Sequence, residues 1–212
     1  MTMTFLRGGE LNIKRRPLKN YEPVSRLIPP AENKIHQGTA WLWRTCMIRL
    51  RPYKKSDAPY LLQWITGEAE FIKWCAGQFT YPLTGRQLEQ YRQKMEADDF
   101  AWPMVAVDQA GRPVGHILMR NADYRRDSLH FGFIIVDPKE RGKGYGKALV
   151  AGALRYAFDL LHMRRVTLNV FANNPSAHSC YLAVGFHDEG FDPAYLEFQG
   201  EPWGRYDMAA EQ

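Results

Sequence analysis

The stretch DPKERGKGYGKAL, residues 137–149, has a composition that could bind phosphate groups. It holds three glycines and four basic residues between an apolar run that ends near Val136 and a helical pattern that begins around Gly144. The first N–H groups of a helix have no intrahelical partner, and the helix dipole adds about half a positive charge there. Glycine lets such a backbone approach a ligand closely, because it has no Cβ. These features suit a pyrophosphate; the alternative is a basic helix start that binds nothing.

Two common phosphate-binding motifs do not fit this stretch. The P-loop pattern needs a glycine where Arg141 stands and a serine or threonine where Ala148 stands. The dinucleotide fingerprint G-x-G-x-x-G needs a glycine at Lys147, whereas the third glycine is Gly146. The residues alone therefore leave the phosphate ligand open.

A second group of residues, NNPSAHSCYLAVGF at 173–186, could supply an acid. Asn174 is a good N-cap, Pro175 suits the first helical position, and Gly185 suits the end of a helix. The pattern predicts a helix over about 175–184, with Tyr181 two turns inside it. A phenol with an ordinary pKa of about 10 stays protonated at neutral pH and can donate a proton. The alternative is a core tyrosine whose hydroxyl is merely satisfied.

The two groups together resemble a known superfamily. Arg141-x-x-Gly144-x-Gly146 resembles the acyl-CoA-binding motif (Q/R)-x-x-G-x-(G/A) of the GNAT N-acetyltransferases, and it follows an apolar strand as it does there. The later stretch resembles the pattern N-x-x-A-x-x-x-Y-x-x-x-G-F that many members carry. Its matching residues are Asn174, Ala177, Tyr181, Gly185 and Phe186. The chain looks broadly like the branch of ribosomal-protein alanine acetyltransferases.

The resemblance implies acetyl-CoA as the acyl donor and no metal. In this family the strand before the motif splays from its neighbour and pairs with the pantetheine arm, which would lie beside Ile134 and Val136. Ordinary core packing explains these two residue types equally well. Asn174 would lie at the same site or only cap its helix. The residues expected to hold the pyrophosphate are Arg141, Gly142, Lys143, Gly144, Tyr145 and Gly146, mainly through their backbone.

The resemblance also implies the acid and leaves the base open. Tyr181 would protonate the departing thiolate. Several members place a glutamate 11 positions before the first motif residue, but His130 stands there in this chain. Histidine can accept a proton near its ordinary pKa of about 6.5. The other candidates are His116 and two glutamates in a predicted loop, Glu68 and Glu70.

Around these residues the hydrophobic pattern predicts one α/β domain over 47–212, a GNAT-like domain with a mixed, mostly antiparallel sheet flanked by helices. The predicted strands lie at 47–51, on both sides of a turn at 108–111, at 128–136, at 165–171 and in short pieces after 186. The predicted helices lie at about 56–66 with Gly67 as the stop, after a Thr84–Gln87 capping box, at about 144–161 and at about 175–184. Five aromatic residues are expected to divide between core and acceptor pocket: Trp64, Phe71, Trp74, Phe79 and Tyr81.

The charge distribution separates residues 1–46 from this domain. They hold 8 of the 28 Lys and Arg and 3 of the 23 Asp and Glu, which leaves 20 of each in 47–212. We expect a flexible basic extension and no nucleic-acid partner, because a nucleic-acid-binding domain concentrates its positive charge on the folded body. Three scattered cysteines and the absence of an apolar leader or spanning run favour a cytoplasmic protein with no membrane partner.

The expected reaction is transfer of an acetyl group from acetyl-CoA to a primary amine, by direct attack in a ternary complex. The amine belongs to a small molecule or to a peptide N-terminus. A covalent route through Cys180 is disfavoured, because neighbouring side chains on a helix do not face the same way. The alternative is a non-catalytic module that senses acyl-CoA, which the missing glutamate at position 130 favours. The protein is expected to be a monomer or a homodimer.

Overall fold

The computed structural model describes residues 2–5, 11–14 and 48–212. Two strands lie in the leading segment and seven form the main sheet. The strands are β1 (Thr2–Phe5), β2 (Leu11–Lys14), β3 (Arg49–Pro52), β4 (Trp102–Val107), β5 (Pro113–Asp123), β6 (Ser128–Val136), β7 (Arg165–Phe171), β8 (His187–Phe198) and β9 (Glu201–Glu211). The helices are α1 (Ala58–Trp64), α2 (Glu68–Cys75), α3 (Gly85–Glu96), α4 (Tyr145–Arg155) and α5 (Pro175–Leu182).

The main sheet has the strand order β3-β4-β5-β6-β7-β9-β8. Only β6 and β7 run parallel, and the other pairs are antiparallel. The mixed, mostly antiparallel sheet is therefore confirmed. β1 and β2 form a separate antiparallel hairpin. The remaining residues before position 48 lie outside the described residues, so a flexible extension stays a prediction.

Two hydrophobic cores cover the two faces of this sheet. One contains the buried side of α4 and residues of α5, and we call that side the α4–α5 face. The other contains the buried residues of α1, α2 and α3, and we call it the α1–α3 face. Side chains alternate between the faces along each strand, so a residue's place in a strand decides which face it serves.

The helix after the glycine-rich stretch follows its predicted pattern to residue 155. Leu149, Ala153 and Ala157 are completely buried at a spacing of four residues. The last turn, Tyr156–Leu160, is a π-helical turn rather than a continuation of the α-helix. The hairpin between β4 and β5 also forms as predicted, with the amide of Gly111 donating to the carbonyl of Asp108 at 3.0 Å.

Two predicted local structures are wrong. Residues 68–75 form helix α2 rather than a loop, and Gly67 is its N-cap rather than the end of the preceding helix. This helix forms because Phe71, Ile72 and Cys75 are buried in the α1–α3 core. The two terminal strands are 12 and 11 residues long rather than short pieces, because they pair with each other along their length.

The capping box at α3 forms in part. The hydroxyl of Thr84 accepts a hydrogen bond from the amide of Gln87, as predicted. The Gln87 side chain does not complete the box, since it bonds to both the amide and the carbonyl of Thr80 and to the carbonyl of Pro82. Gln87 therefore fixes the loop before α3, which lies over the α1–α3 face.

Candidate active site

A wedge opens between the two parallel strands. β6 pairs with β7 only from Ser128 to Phe131, opposite Arg165 to Leu168. Beyond that point β7 pairs with β9 on its other edge, and β6 pairs with β5. Among the described strands, nothing pairs with the facing edges of 132–136 and 169–171. Such edges offer backbone donors and acceptors to an extended ligand, in the manner of an added strand.

A β-bulge lies at the mouth of this wedge. The register of β5 with β6 shifts between His116 and Leu118, where one extra residue of β6 is inserted. At this bulge the backbone of Phe133 is strained, because its φ of 48° lies in the left-handed region that favours glycine. The bulge moves Ile134 and Val136 to the α4–α5 face, while Phe133 and Ile135 join the opposite core. It thus directs the two residues predicted to lie beside the pantetheine arm towards the glycine-rich stretch.

Two side chains hold the bulge in place. The carbonyl of Phe133 accepts a hydrogen bond from Trp74 Nε1 at 3.0 Å. His116 Nδ1 lies 2.9 Å from the same oxygen, and its Nε2 lies 3.4 Å from the hydroxyl of Tyr91. Burial lowers the pKa of His116 to about 4, so its ring is neutral and donates from Nδ1 to Phe133. His116 therefore positions the bulge, and its complete burial argues against the role of a base.

The backbone before α4 has the shape expected of a phosphate cradle. Gly142 and Gly144 have φ of 77° and 87°, a region that favours glycine, and Gly144 is the N-cap of α4. A Cβ at either glycine would meet nothing within 4 Å. The two glycines are therefore needed for the backbone conformation, and the space in front of them is open to a ligand.

Two of the four basic side chains of this stretch are engaged with carboxylates. Arg141 contacts Glu70 at 3.3 Å, and Lys143 contacts Glu140 at 2.8 Å. Glu140 also binds Arg112 at 2.8 Å, and these hydrogen bonds from Lys143 and Arg112 lower the pKa of its carboxyl group. The backbone N–H groups at the start of α4 are therefore among the main donors that remain available to a phosphate ligand. Glu70 lies in the first turn of α2 rather than in a loop, as does Glu68.

The second predicted motif packs against the first. Asn174 caps α5 by accepting from the amide of Ala177 at 3.3 Å. Cys180 Sγ and Val136 Cγ2 lie 3.5 and 3.8 Å from the point where a Cβ on Gly146 would stand. The start of α4, the end of β6 and the middle of α5 therefore meet, although they are far apart in the sequence.

Two ionisable groups on α5, the Tyr181 phenol and the Cys180 thiol, are held in their protonated forms. Tyr181 is buried in the core of the α4–α5 face, and burial raises the pKa of its phenol. Burial also raises the pKa of the Cys180 thiol to about 11. A protonated thiol is a poor nucleophile, whereas a protonated phenol can act as an acid.

His130 lies on the opposite face of the sheet. Its strand neighbours Leu129 and Phe131 are buried in the α4–α5 core, so alternation turns His130 to the α1–α3 face. Its Nδ1 lies 2.9 Å from Thr167 Oγ1. Burial, followed by the positive charges of Arg120 and Arg205, lowers its pKa to about 4. His130 is therefore neutral near pH 7 and a weaker base than an exposed histidine.

A cavity of about 480 Å³ lies on the same face, beside the bulge. It is enclosed by the loop before α3, by α3 itself and by β5 and β6. Residues of its lining include Gln78, Phe79, Tyr91, Lys94, Arg120 and Phe133. Of the aromatic residues singled out in the sequence, Phe79 lines the cavity, whereas Trp64, Phe71 and Trp74 are buried in the core. Tyr81 is partly exposed and packs edge-on against Phe71.

Arg120, Tyr91 and Phe133 also belong to this region, although the sequence did not indicate it. No local motif marks them, because they come together only when α3 packs over the sheet. Among the described residues, no three histidines, cysteines or acidic residues are grouped as metal ligands. The same part of the chain contains no helix that is long and apolar enough to span a membrane.

Comparison with known proteins agrees with this geometry. The model of the acetyltransferase (GNAT) family matches residues 60–186, more than half of the chain. The chain therefore belongs to this family, and the resemblance in its motifs is confirmed.

Several similar proteins are named as acetyltransferases, and two of them illustrate the range of acceptors in their names. Spermidine N(1)-acetyltransferase from Vibrio cholerae is 31% identical over 104 residues, which cover 49% of this chain and 60% of that protein. Peptidyl-lysine N-acetyltransferase YjaB from Escherichia coli is 31% identical over 105 residues, or 50% of this chain and 61% of that protein. The chain thus spans about three-fifths of these relatives' length.

Solved structures extend the likeness to most of the domain. The crystal structure of spermidine N-acetyltransferase from Vibrio cholerae in complex with CoA and spermine has a TM-score of 0.69 against this chain. It covers 78% of this chain and 95% of its own at 23% identity. At that identity the likeness shows the fold, and a single GNAT-fold domain is what the strand order also indicates.

Proposed function

We propose that this protein is an N-acetyltransferase that moves the acetyl group of acetyl-CoA to a primary amine. The observation that carries the proposal is the wedge between β6 and β7, which opens towards the N-terminus of α4. An extended ligand with a pyrophosphate at one end fits this combination of free strand edges and glycine-shaped backbone. Acetyl-CoA supplies the activated acyl group as a thioester.

The protein's own part in binding is mainly backbone donation. The amides of 141–146 would hold the pyrophosphate, since two of the nearby cationic side chains, Arg141 and Lys143, are already paired with Glu70 and Glu140. Ile134 and Val136 would flank the pantetheine arm on the α4–α5 face. The bulge fixed by Trp74 and His116 would hold this edge of β6 in one conformation.

The chemical step needs one proton accepted and one supplied. The amine nitrogen attacks the thioester carbonyl carbon, the carbon–sulfur bond breaks, and the sulfur leaves with the bonding pair. We assign Tyr181 as the donor of a proton to that sulfur, because burial keeps its phenol protonated. We assign His130 as the acceptor of the amine proton, directly or through water, with its ring oriented by Thr167. The low pKa of His130 keeps it free to accept.

Binding can be tested before any acceptor is known. Calorimetric titration of the full chain with acetyl-CoA, CoA and ATP should show binding of both CoA species in preference to ATP. Thiol release over a library of amines and peptides would then identify the acceptor class. Absence of binding by either CoA species would reject the proposed function.

The cradle itself can be tested with two variants of equal size. Asp and Asn both tolerate the left-handed conformation of Gly144, but only Asp adds a negative charge facing the pyrophosphate. Gly144→Asp should weaken acetyl-CoA binding about 10-fold or more relative to Gly144→Asn, as expected for one unfavourable charge in a charge-assisted site. Equal affinities in the two variants would place the pyrophosphate elsewhere.

The alternative is a module that binds acyl-CoA without catalysis. It is favoured only by His130, which stands where the family resemblance implies a glutamate in several members. Binding of acetyl-CoA without thiol release on any amine would support this alternative against the enzyme.

A further inference from the structure

The cavity beside the bulge contains a guanidinium group whose pairing is incomplete. Arg120 lies on β5 opposite His130 of β6, and it is half-buried. Its Nη1 donates to Gln78 Oε1 at 3.0 Å, and its guanidinium carbon lies 5.6 Å from the ring centroid of Phe133. Its Nε is buried and has no hydrogen-bond partner among the described residues. Arg120 therefore lines the cavity with its hydrogen-bonding capacity only partly used.

Arg120 also has no carboxylate partner in the part of the chain that the structure describes. The other arginine near His130, Arg205, contacts Asp207 at 2.8 Å. Arg51 and Arg112 likewise contact carboxylates, at 2.7 and 2.8 Å. Burying a charged group without a counter-ion is unfavourable, and burial accordingly lowers the pKa of Arg120. An anionic ligand in the cavity would remove this penalty by supplying the missing counter-charge.

The rest of the cavity agrees with an anionic, partly apolar ligand. Its charged lining consists of Arg120, Lys94 and Asp98, which is a net positive charge. A polyamine would bring further positive charge to this lining, with one carboxylate to receive it. The volume of about 480 Å³ suits a small molecule. The aromatic rings of Phe79 and Phe133 offer an apolar wall for a side chain.

We propose that Arg120 binds the carboxylate of the acceptor, and that the acceptor is a small amino acid-like amine with an apolar or aromatic side chain. A guanidinium can hold a carboxylate through two parallel hydrogen bonds, which also fixes the direction of the amine. The inference rests on the proposed function, since it names the substrate class of the same site. Arg120 is a specificity-determining residue rather than a catalytic one.

The test compares acceptors that differ only in the carboxylate. The full chain is assayed for CoA release from acetyl-CoA with L-phenylalanine, L-methionine and L-glutamine, with the primary amide of each, and with spermidine. Rates are referred to the neutral-amine concentration at the assay pH, because the amides have less basic amines. We expect kcat/KM for at least one amino acid to exceed that for its amide and for spermidine by about 10-fold or more.

Variants then assign the preference to one side chain. Arg120→Gln should lower kcat/KM for the amino acid about 10- to 100-fold and leave the amide nearly unchanged. Arg120→Lys keeps the charge without the fork and should retain part of the preference. Arg125→Gln, which removes a positive charge from an exposed position outside the cavity lining, is the matched control and should retain all of it. Acetyl-CoA affinity and thermal unfolding establish that each variant is folded.

The outcomes separate this inference from the proposed function. Acetylation of amides or spermidine at least as good as that of the amino acids would overturn the carboxylate site and leave the enzyme intact. An equal loss on both substrates in folded Arg120→Gln would also overturn it. Acetyl-CoA binding without release on any amine would overturn both.

Discussion

At the scale of single residues, Tyr181 carries the sharpest expectation. Tyr181→Phe removes only the hydroxyl, so it should lower kcat about 10²-fold while the dissociation constant for acetyl-CoA stays nearly the same. Since burial raises the pKa of this phenol, its proton is retained at mildly alkaline pH. Loss of that proton should therefore not lower kcat between about pH 7 and about pH 9.

Single-turnover kinetics and calorimetry on the same preparations would measure the two effects separately. Tyr124→Phe, at an exposed position outside the site, is the matched control and should change neither quantity. A kcat for Tyr181→Phe equal to that of the unaltered protein would remove Tyr181 as the acid. The sulfur would then have to take its proton from water.

Residues of the two motifs could be located from the sequence, because their types and spacing are local. Gly142 and Gly144 have the positive φ that a glycine-rich turn implies, and Asn174 caps its helix as predicted. Arg120 could not be found in this way. Arg120 is a candidate binding residue because no carboxylate of the described residues lies beside it. This depends on which side chains β5, β6 and α3 bring together, and no local pattern in the sequence shows it.

At the scale of elements, the position of the bulge in β6 could not be predicted from local sequence patterns. The resemblance led us to expect a splay before the motif, but not its position. A glycine, Gly132, is available at the insertion, yet the positive φ falls on Phe133. The strained residue is fixed by tertiary contacts: its carbonyl is held by Trp74 and His116, and its ring packs in the α1–α3 core.

This clamp makes a testable prediction. Trp74→Phe removes the indole donor and part of a buried ring, so the loss of one hydrogen bond, about 1 kcal/mol of unfolding free energy, adds to a loss of packing. If the clamp orients the edge of β6, KM for acetyl-CoA should rise several-fold beyond what the loss of stability explains. Trp64→Phe, at another buried tryptophan of the same core whose ring packs against Tyr60, provides the comparison.

Steady-state kinetics and chemical denaturation would be measured on both variants. The prediction fails if Trp64→Phe and Trp74→Phe change KM equally. In that event the indole N–H of Trp74 would serve core stability alone.

At the scale of the whole molecule, the order of strands and helices was predictable and the extent of pairing was not. The alternation of apolar residues marks β6 and β7 well, because each is buried against helices on at least one face. Helix α2 escaped notice because only its tertiary burial distinguishes EAEFIKWC from a loop with aromatic residues. The length of β8 and β9 likewise depends on their mutual pairing, to which local propensity contributes little.

Two histidines, the buried His116 and the half-buried His130, affect the stability of this fold in acid. An exposed histidine has a pKa of about 6.5, whereas burial lowers that of His116 and of His130 to about 4 in the folded protein. Between about pH 4 and about pH 6.5 these two rings are protonated in the unfolded chain and neutral in the folded chain. Stability conferred by the neutral rings is therefore fully present above about pH 6.5 and is lost as the pH falls through about 4. Each ring contributes on the order of 3 kcal/mol to this loss.

Chemical denaturation at several values between about pH 7 and about pH 4 should accordingly show the unfolding free energy falling with pH well before most carboxylates titrate. Burial raises the pKa of Asp207 to about 6, so its proton uptake in the folded state offsets part of this decline. His130→Gln should make the decline smaller than in the unaltered protein, because glutamine can still bond to Thr167 but takes up no proton. His162→Asn is the control at an exposed position, where water solvates the ring in both states. The contribution of Asp207 is common to both proteins and cancels when they are compared. If the unfolding free energies of His130→Gln and of the unaltered protein depend equally on pH, the His130 ring reaches solvent or counter-charges. The neutral proton acceptor at His130 would then have to be abandoned.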